Sequence, residues 1–394
     1  MILHSLKLTW NQRRKNAYLV VELFFLFIIL MGSSLYLIDR YQVFTEGIGV
    51  ESDQVFFISV GKKNNGEGDY KKELMKLRSQ LKGLESVRNV SLATQGVPYV
   101  DSWSSSTVSS DSVQQVATIR SFDVNFSDVM NPQIVAGRWF TQEDVDSGIN
   151  PLVIDLKLAE FFYESVDLAP GKKIDYNDKS WTVVGVIHHL KRGDFVERYP
   201  CIIMPSSIPI WENNFASAMF LIEVKNGEMP NPKLYSELVF NVLDPSEFNI
   251  YGASTMDSMK RMMNAEDNVQ IRLVILVVLF LVVNLFLGMI GILGYNVKRR
   301  RSELGVRRAM GSTAGQLHKL LLFESFSLTI MALIPALILV IQIPLLDILP
   351  LETDLFFKAL LVSIAMIFLL VTLSVYYPGR LATEVQPADA LQEE

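Results

Sequence analysis

Four long apolar runs constrain this chain more than any other feature. A helix needs about 20 mostly apolar residues to cross a bilayer, and residues 17–38, 271–296, 320–346 and 355–377 each satisfy that length. The first run (AYLVVELFFLFIILMGSSLYLI) follows Lys7, Arg13, Arg14 and Lys15, as a signal peptide would. It is longer than the apolar core of about 7–15 residues expected of such a leader, and no A-x-A-like site follows it. The expectation is therefore an uncleaved span. The predicted fold is that of an α-helical membrane protein with four transmembrane helices and an α+β extracytoplasmic domain between helices one and two.

Lys and Arg in short flanks set the orientation. Four basic residues precede span one. The 297–319 connection carries Lys298, Arg299, Arg300, Arg301, Arg307, Arg308 and Lys319 against one acid, Glu303. The 347–354 connection has Asp347, Glu352 and Asp354 and no base before Lys358, which can snorkel to the outer interface. This places residues 1–16, the 297–319 connection and the 378–394 tail in the cytoplasm. Residues 39–268 and 347–354 lie outside. The net charge of −6 averages over these clusters and says little about partners. Cys201 is the single cysteine, so no intramolecular disulfide and no cysteine-based zinc cluster can form. His188 and His189 are adjacent, and on a strand they would point to opposite faces. No metal site is expected.

Residues 39–268 alternate strand and helix signals. Val55–Val60 reads as a strand, Asp69–Leu81 as a helix with Leu74, Leu77 and Leu81 on one face, and Val87–Thr94 as a strand. A second β-α-β unit follows at Met219–Val224, Leu234–Leu243 and Glu247–Tyr251. A strand-rich subdomain, about 96–210, is inserted between these porter-type halves. Asn150-Pro151, Pro170-Gly171 and Tyr176-Asn177-Asp178 are its turn signals, and Trp181–Ile187 is its clearest strand. Ser254, with Asp257 after it, fits the N-cap of a helix running through Arg272 into span two.

No catalytic constellation is present. The serines at 102, 104–106, 109, 110 and 112 lack a G-x-S-x-G frame and read as a polar mobile loop. There is no H-E-x-x-H. Gly61 and Gly66 have a P-loop interval, but Glu67 stands in place of the lysine, so the chain should bind no ATP by that route. Among residues in the spans, Glu22 and Glu324 lie near helix ends, where snorkelling or local pairing is expected. Asn284 is mid-span, where an interhelical hydrogen bond is the usual role.

The stretch Lys298–Gln316 (KRRRSELGVRRAMGSTAGQ) is the most informative. Arg300, Glu303 and Arg307 share one helical face, and Glu303 can pair with either arginine. Leu304, Val306 and Met310 supply apolar surface, Gly311 is a natural helix stop, and Thr313 with Gln316 fits a capping box for span three. A basic anchor on lipid headgroups and a docking helix both fit the charge alone.

Glu303, Leu304, Gly305, Val306, Arg307, Arg308, Ala309, Met310 and Gly311 resemble the signature of the FtsX-like, or MacB-like, family of ABC-transporter permeases. Asn131–Asp144 (NPQIVAGRWFTQED) resembles that family's "aGR.ft..d" segment. Pro170-Gly171-Lys172 with Trp181–Ile187 resembles "pGk.i…y.VvGV". Tyr377–Leu391 (YPGRLATEVQPADAL) resembles the family's tail, and Glu324 sits where many members carry a glutamate. The resemblance implies a permease subunit coupled to its ATPase through Arg300, Glu303, Leu304, Gly305, Arg307, Arg308, Met310 and Gly311. It implies a separate ABC ATPase that binds ATP and Mg²⁺, a second permease chain (identical or paralogous), and compatibility with a periplasmic adaptor. It implies no cofactor in this chain and no nucleic acid. The expected function is ATP-driven export by mechanotransmission. The alternative is an FtsX-type regulator that transmits ATPase motions to an extracytoplasmic enzyme and transports nothing.

Overall fold

In the computed structural model the described residues are 13–63, 70–206, 217–225, 228, 231–299, 301–348 and 352–383. Arg300, Gly66 and the tail beyond Thr383 lie outside them. The elements in chain order are α1 (Arg13–Thr45), β1 (Val55–Lys62), α2 (Tyr70–Lys82), β2 (Val87–Gln95), β3 (Ser104–Ser110), β4 (Val113–Phe122), α3 (Phe126–Met130) and β5 (Ile134–Gly137). There follow α4 (Gln142–Asp146), β6 (Pro151–Asp155), α5 (Leu156–Phe162), β7 (Lys173–Tyr176), β8 (Lys179–Ile187), β9 (Cys201–Pro205), β10 (Ser217–Val224), α6 (Pro232–Val242) and β11 (Phe248–Thr255). The chain closes with α7 (Met256–Met263), α8 (Ala265–Arg299), α9 (Arg301–Ala309), α10 (Ala314–Leu345) and α11 (Thr353–Thr383). Two compact units result: Val43–Asp267, and the remainder formed by the two chain ends.

The domain unit is built on a sheet in the order β11-β1-β10-β2. β1-α2-β2 and β10-α6-β11 are two crossovers that interleave, each leaving room for one strand of the other, in a split βαβ arrangement. Side chains alternate across a strand, so β1 feeds two cores. Phe56, Ile58 and Val60 join Leu74, Leu77, Leu81, Tyr235 and Val239 under the helices. Val55 and Phe57 face the other way, toward Phe122, Phe126, Leu221 and Met256.

β4 leaves that sheet and closes a ring, β4-β3-β7-β8-β6-β9, in which β9 returns to β4 in parallel register. The ring encloses its own core, including Val108, Ile119, Leu152, Ile154, Val183 and Ile202. The seam between β3 and β7 is the thin one, a single bridge at Ser109↔Asp175. The serine-rich stretch is not a mobile loop: it forms β3, paired with β4 from Ser104↔Ile119 to Ser110↔Val113. The residues that turn this hairpin, Asp111 and Ser112, both have positive φ, as do Asn177 and Asp178 between β7 and β8. That geometry suits the twist of antiparallel strands. A serine run hides a strand because only the hairpin turn and the buried Val108 and Ser110 betray the alternation.

The helical unit comprises α8–α11 with the part of α1 up to Gln42, around a core that includes Leu23, Phe27, Leu285, Met289, Ala332, Phe356 and Ile367. Among the described residues, four helices are long and apolar enough to cross a membrane: Ala17–Thr45, Ala265–Arg299, Ala314–Leu345 and Thr353–Tyr376. Inside a bilayer each polar side chain needs a partner within the protein. Ser327, Thr329, Ser363, Thr372 and Ser374 accordingly donate to the carbonyl four residues back, at 2.7–2.9 Å. Asn284 does the same toward the Phe280 carbonyl at 2.8 Å and is exposed, in place of the expected interhelical bond. Lys358 pairs with Asp354 one turn earlier, at 2.5 Å.

Candidate functional site

The sharpest local geometry of the helical unit is the corner between α9 and α10. α9 ends on Gly311, whose φ is +94°. Its N–H donates to the Arg308 carbonyl at 3.0 Å, and the Ser312 N–H reaches back to the Arg307 carbonyl at 3.0 Å. This pair of bonds is a Schellman motif, which needs a left-handed residue where glycine stands. Two residues later α10 begins with a full capping box. Thr313 Oγ1 accepts from the Gln316 N–H at 3.3 Å, and the Thr313 N–H donates to Gln316 Oε1 at 2.8 Å. Several of the backbone groups that a helix end leaves unpaired are thus satisfied on both sides of the bend.

Side chains sort cleanly on α9. Leu304 and Gly305 are buried, and Leu317 and Leu321 are buried on α10. Val306 and Met310 are exposed, Met310 at 75%. Arg307 Nη2 donates to Glu303 Oε1 at 3.0 Å, one turn away, with both side chains about two-fifths exposed. Arg307 is one of the two arginines the sequence offered to Glu303, and Arg300 lies outside the described residues. A pair this exposed contributes only about 0.3–0.5 kcal/mol. At the far end of span four, a Cβ on Gly379 would collide with the His318 ring, so the glycine of the YPGR segment permits α11 to pack against the first turns of α10. Elsewhere in the spans, Glu22 Oε1 lies 3.2 Å from where a Cβ on Gly288 would stand, and Glu22 Oε2 has no hydrogen-bond partner among the described residues.

A second polar cluster lies within the domain unit. The loop between β8 and β9, residues 188–199, binds the segments next to both flanking membrane helices. Toward the end of α1, buried Lys191 donates through Nζ to the Val43 carbonyl, and its N–H donates to the Ile48 carbonyl at 2.9 Å. Arg198 Nε and Nη2 hold Glu46 at 3.1 and 2.9 Å. Toward the start of α8, the buried Asp194 carboxylate accepts from Asn264 Nδ2 at 2.7 Å and pairs with Lys260 at 3.3 Å. It also accepts from the Tyr99 hydroxyl at 2.7 Å. Burial, reinforced by that carboxylate, pushes the Tyr99 hydroxyl well above its usual range, so it remains a donor. We call this loop the latch. Asn264 separates α7 from α8, and α7 is capped by Thr255 Oγ1, which accepts from the Ser258 N–H at 3.2 Å. The expected single helix capped by Ser254 is therefore two helices, because β11 runs on to Thr255.

His188 and His189 open the latch. They sit just past β8, not on it, and their Nδ1 atoms are 2.5 Å apart instead of facing opposite sides. His189 Nε2 lies 3.3 Å from the Gly47 carbonyl. Burial, and then the neighbouring His188, hold the His189 imidazole down to about 4. Beside the latch is a cavity of about 420 Å³, with Trp103, Val116, Arg120 and Arg192 among its lining. Sequence reasoning missed both latch and cavity, because their partners lie up to about 150 residues apart (Arg198 with Glu46).

Residues 27–232 match the MacB-like periplasmic core domain, more than half of the chain, and residues 273–387 match the FtsX-like permease C-terminal domain. The chain belongs to the MacB/FtsX-like family of ABC-transporter permeases. Among solved structures, the periplasmic region of MacB from Actinobacillus actinomycetemcomitans is 17% identical, with 56% of this chain and 97% of that one covered and a TM-score of 0.39. The extracellular domain of the noncanonic ABC-type transporter YknZ from Gram-positive bacteria is 18% identical, with 50% and 100% covered and a TM-score of 0.35. No curated relative matches the chain. Two of the other family-like segments carry structural contacts. In Asn131–Asp144, Arg138 holds Asp144 through two bonds of 2.5 and 2.8 Å, and Asp144 completes a capping box with Thr141. In the 170–187 segment, the Gly171 N–H donates to the Val183 carbonyl at 2.7 Å. The corner is different: it is closed by its own local bonds, yet it leaves Val306 and Met310 uncovered.

Proposed function

We propose that this multi-pass permease subunit couples ATP hydrolysis by a separate ABC ATPase to movement of its inter-span domain, in the service of export. The observation that carries the reading is the corner, whose helix is terminated by backbone bonds, whose successor restarts at a capping box, and whose outer surface is apolar and basic. Such a helix moves as a block when pushed. Arg307, Arg308, Met310 and Gly311, with Leu304 and Gly305 beneath, are the contact and support residues, and Glu303 is the group that selects the matching donor on the ATPase. The basic flanks support a cytoplasmic corner and a periplasmic domain, in the inner membrane of a bacterium. A second permease chain completes the ATPase-binding surface, and a periplasmic adaptor fits the same arrangement. The FtsX-type alternative uses the same relay and differs in its output, an extracytoplasmic enzyme in place of a substrate.

The test is to replace Glu303 by Ala or Lys, confirm membrane insertion, and measure both copurified ATPase and its stimulation. A desolvated interfacial pair loses about 2–5 kcal/mol when one partner is truncated, so assembly should weaken tenfold or more, with Lys worse than Ala. Because the ATPase is cytoplasmic, the same result places the corner on that side. Full assembly and full stimulation in both variants would leave Glu303 as a surface charge paired with Arg307 and would refute the docking assignment. Loss of efflux on deletion then separates export from regulation.

A further inference from the structure

We infer that the cavity beside the latch is a binding site for a small amphipathic anion, an apolar body ending in a carboxylate. Its volume, about 420 Å³, lies within the range of about 300–1,000 Å³ typical of small-molecule sites. The walls supply an apolar surface that the fold does not otherwise cover: Trp103 is 51% exposed and Val116 58%. The charged groups lining it are Arg120, Lys191 and Arg192 against one carboxylate, Glu197. Lys191 lies 3.9 Å from Glu46, and Arg192 pairs with Asp101 at 2.5 Å, so two of the three cations are already offset.

The third, Arg120, is offset only at longer range: the buried Asp155 carboxylate acts on its charge without forming an ion pair, and the Cys201 sulfur lies beside it. Its guanidinium is buried and donates to two neutral acceptors, the Gly96 carbonyl and, at 2.7 Å, the Leu190 carbonyl. No carboxylate stands within ion-pair distance of it among the described residues. Arg192 adds a second open position: its Nε is buried and has no hydrogen-bond partner among the described residues. Its guanidinium carbon also sits 4.9 Å over the Trp103 ring, which fixes the fork beside an aromatic face. A planar carboxylate suits a guanidinium fork better than a rounder anion does, and the aromatic and branched walls suit a ring or short chain attached to it.

The site is placed to be sensed. Leu190, Lys191 and Arg192 line the cavity on one side of Asp194, and Val196, Glu197 and Tyr199 line it on the other. Asp194 is the residue that holds Asn264 and Lys260, and Lys191 the one that holds Val43. An occupant therefore braces the latch between its two anchors. This holds whether or not the corner docks an ATPase, and the test needs no ATPase.

The experiment is calorimetric titration of the full chain in lipid nanodiscs with sodium naphthalene-1-acetate, using empty nanodiscs as the blank and the uncharged naphthalene-1-ethanol as the matched neutral probe. Saturable binding of the anion at one site per chain is expected, with the neutral probe at least tenfold weaker. Arg192→Gln and Trp103→Ala should each weaken the anion at least tenfold. Val116→Glu, at a position exposed enough to be tolerated, should abolish binding by repulsion, while Val116→Leu preserves it. Hydrogen exchange across β1 and β10 verifies that each variant is folded. On saturation, exchange should slow in residues 188–199 and in 43–48 and 260–264. Heats no different from empty nanodiscs, equal affinity for the neutral probe, or unchanged affinity in folded Val116→Glu would each overturn the proposal.

Discussion

The corner is held by bonds between near neighbours in the chain, whereas the latch is held by bonds that reach across the domain. Between Arg307 and Gln316 every stabilising bond spans five residues or fewer. In the latch, Asp194 reaches 95 residues back to Tyr99 and 70 forward to Asn264. Local bonds make a rigid piece whose shape survives loss of its surroundings. Long-range bonds make a junction that opens when one partner is withdrawn. In the proposed relay the corner is the block that is pushed and the latch is the joint that registers the push.

The largest effect that could break this contrast is at Asp194. Asp194→Ala withdraws the acceptor of the buried Tyr99 hydroxyl and of the buried Asn264 amide, and the partner of Lys260. Removing one member of a buried charged network costs about 3–5 kcal/mol. Hydrogen exchange should accelerate in residues 188–199 and 260–264 while β1 and β10 stay protected. Uniform acceleration of the whole domain would mean that the latch is part of the core and not a joint. A smaller effect is expected at Gly311, where the left-handed backbone makes Val cost about 1–3 kcal/mol. Gly311→Val should loosen only residues around 305–317 and leave the latch unchanged. If it disturbed the domain without any ATPase present, the corner would not be a self-contained block.

A graded effect comes from pH. The His189 imidazole ordinarily titrates near 6.5 and is held down to about 4 by burial and by His188, with Lys191 and Arg198 adding to the shift. Between those values the unfolded chain takes up a proton that the folded loop refuses. The stability contributed by neutral His189 is therefore complete above about pH 6.5 and is lost as pH falls toward 4. The Gly47 carbonyl, which faces Nε2, and Glu46 nearby favour the protonated form and limit the loss. Exchange in residues 188–192 should quicken over that window, and His189→Gln should flatten the dependence. A profile that stays flat in the wild-type chain would remove His189 from the latch.

The same division explains what the sequence could reveal. The helix stop at Gly311 and the capping box of Thr313 and Gln316 are written within a few residues, and both were readable. The two β-α-β units were readable because alternation and helical spacing report burial directly, as in Phe56 and Ile58 against Leu74, Leu77 and Leu81. The strand at Ser104–Ser110 was not, because small polar side chains carry no alternation signal when the ring is closed by β9 from some 80 residues away. Asp194, Lys191 and Arg120 were invisible as a site for a related reason. Their partners are mostly backbone carbonyls and single distant side chains, which leave no motif.

The central claim is that the state of the ATPase at the corner is felt at the latch. The most direct measurement is hydrogen exchange on the assembled permease and ATPase, nucleotide-free and then bound to a non-hydrolysable ATP analogue, in the wild-type chain and in Glu303→Lys. Exchange in residues 188–199, 43–48 and 260–264 should change on nucleotide binding in the wild type and remain unchanged in Glu303→Lys. Identical exchange in those segments with and without nucleotide, in a complex shown to be assembled and hydrolysing ATP, would contradict the account.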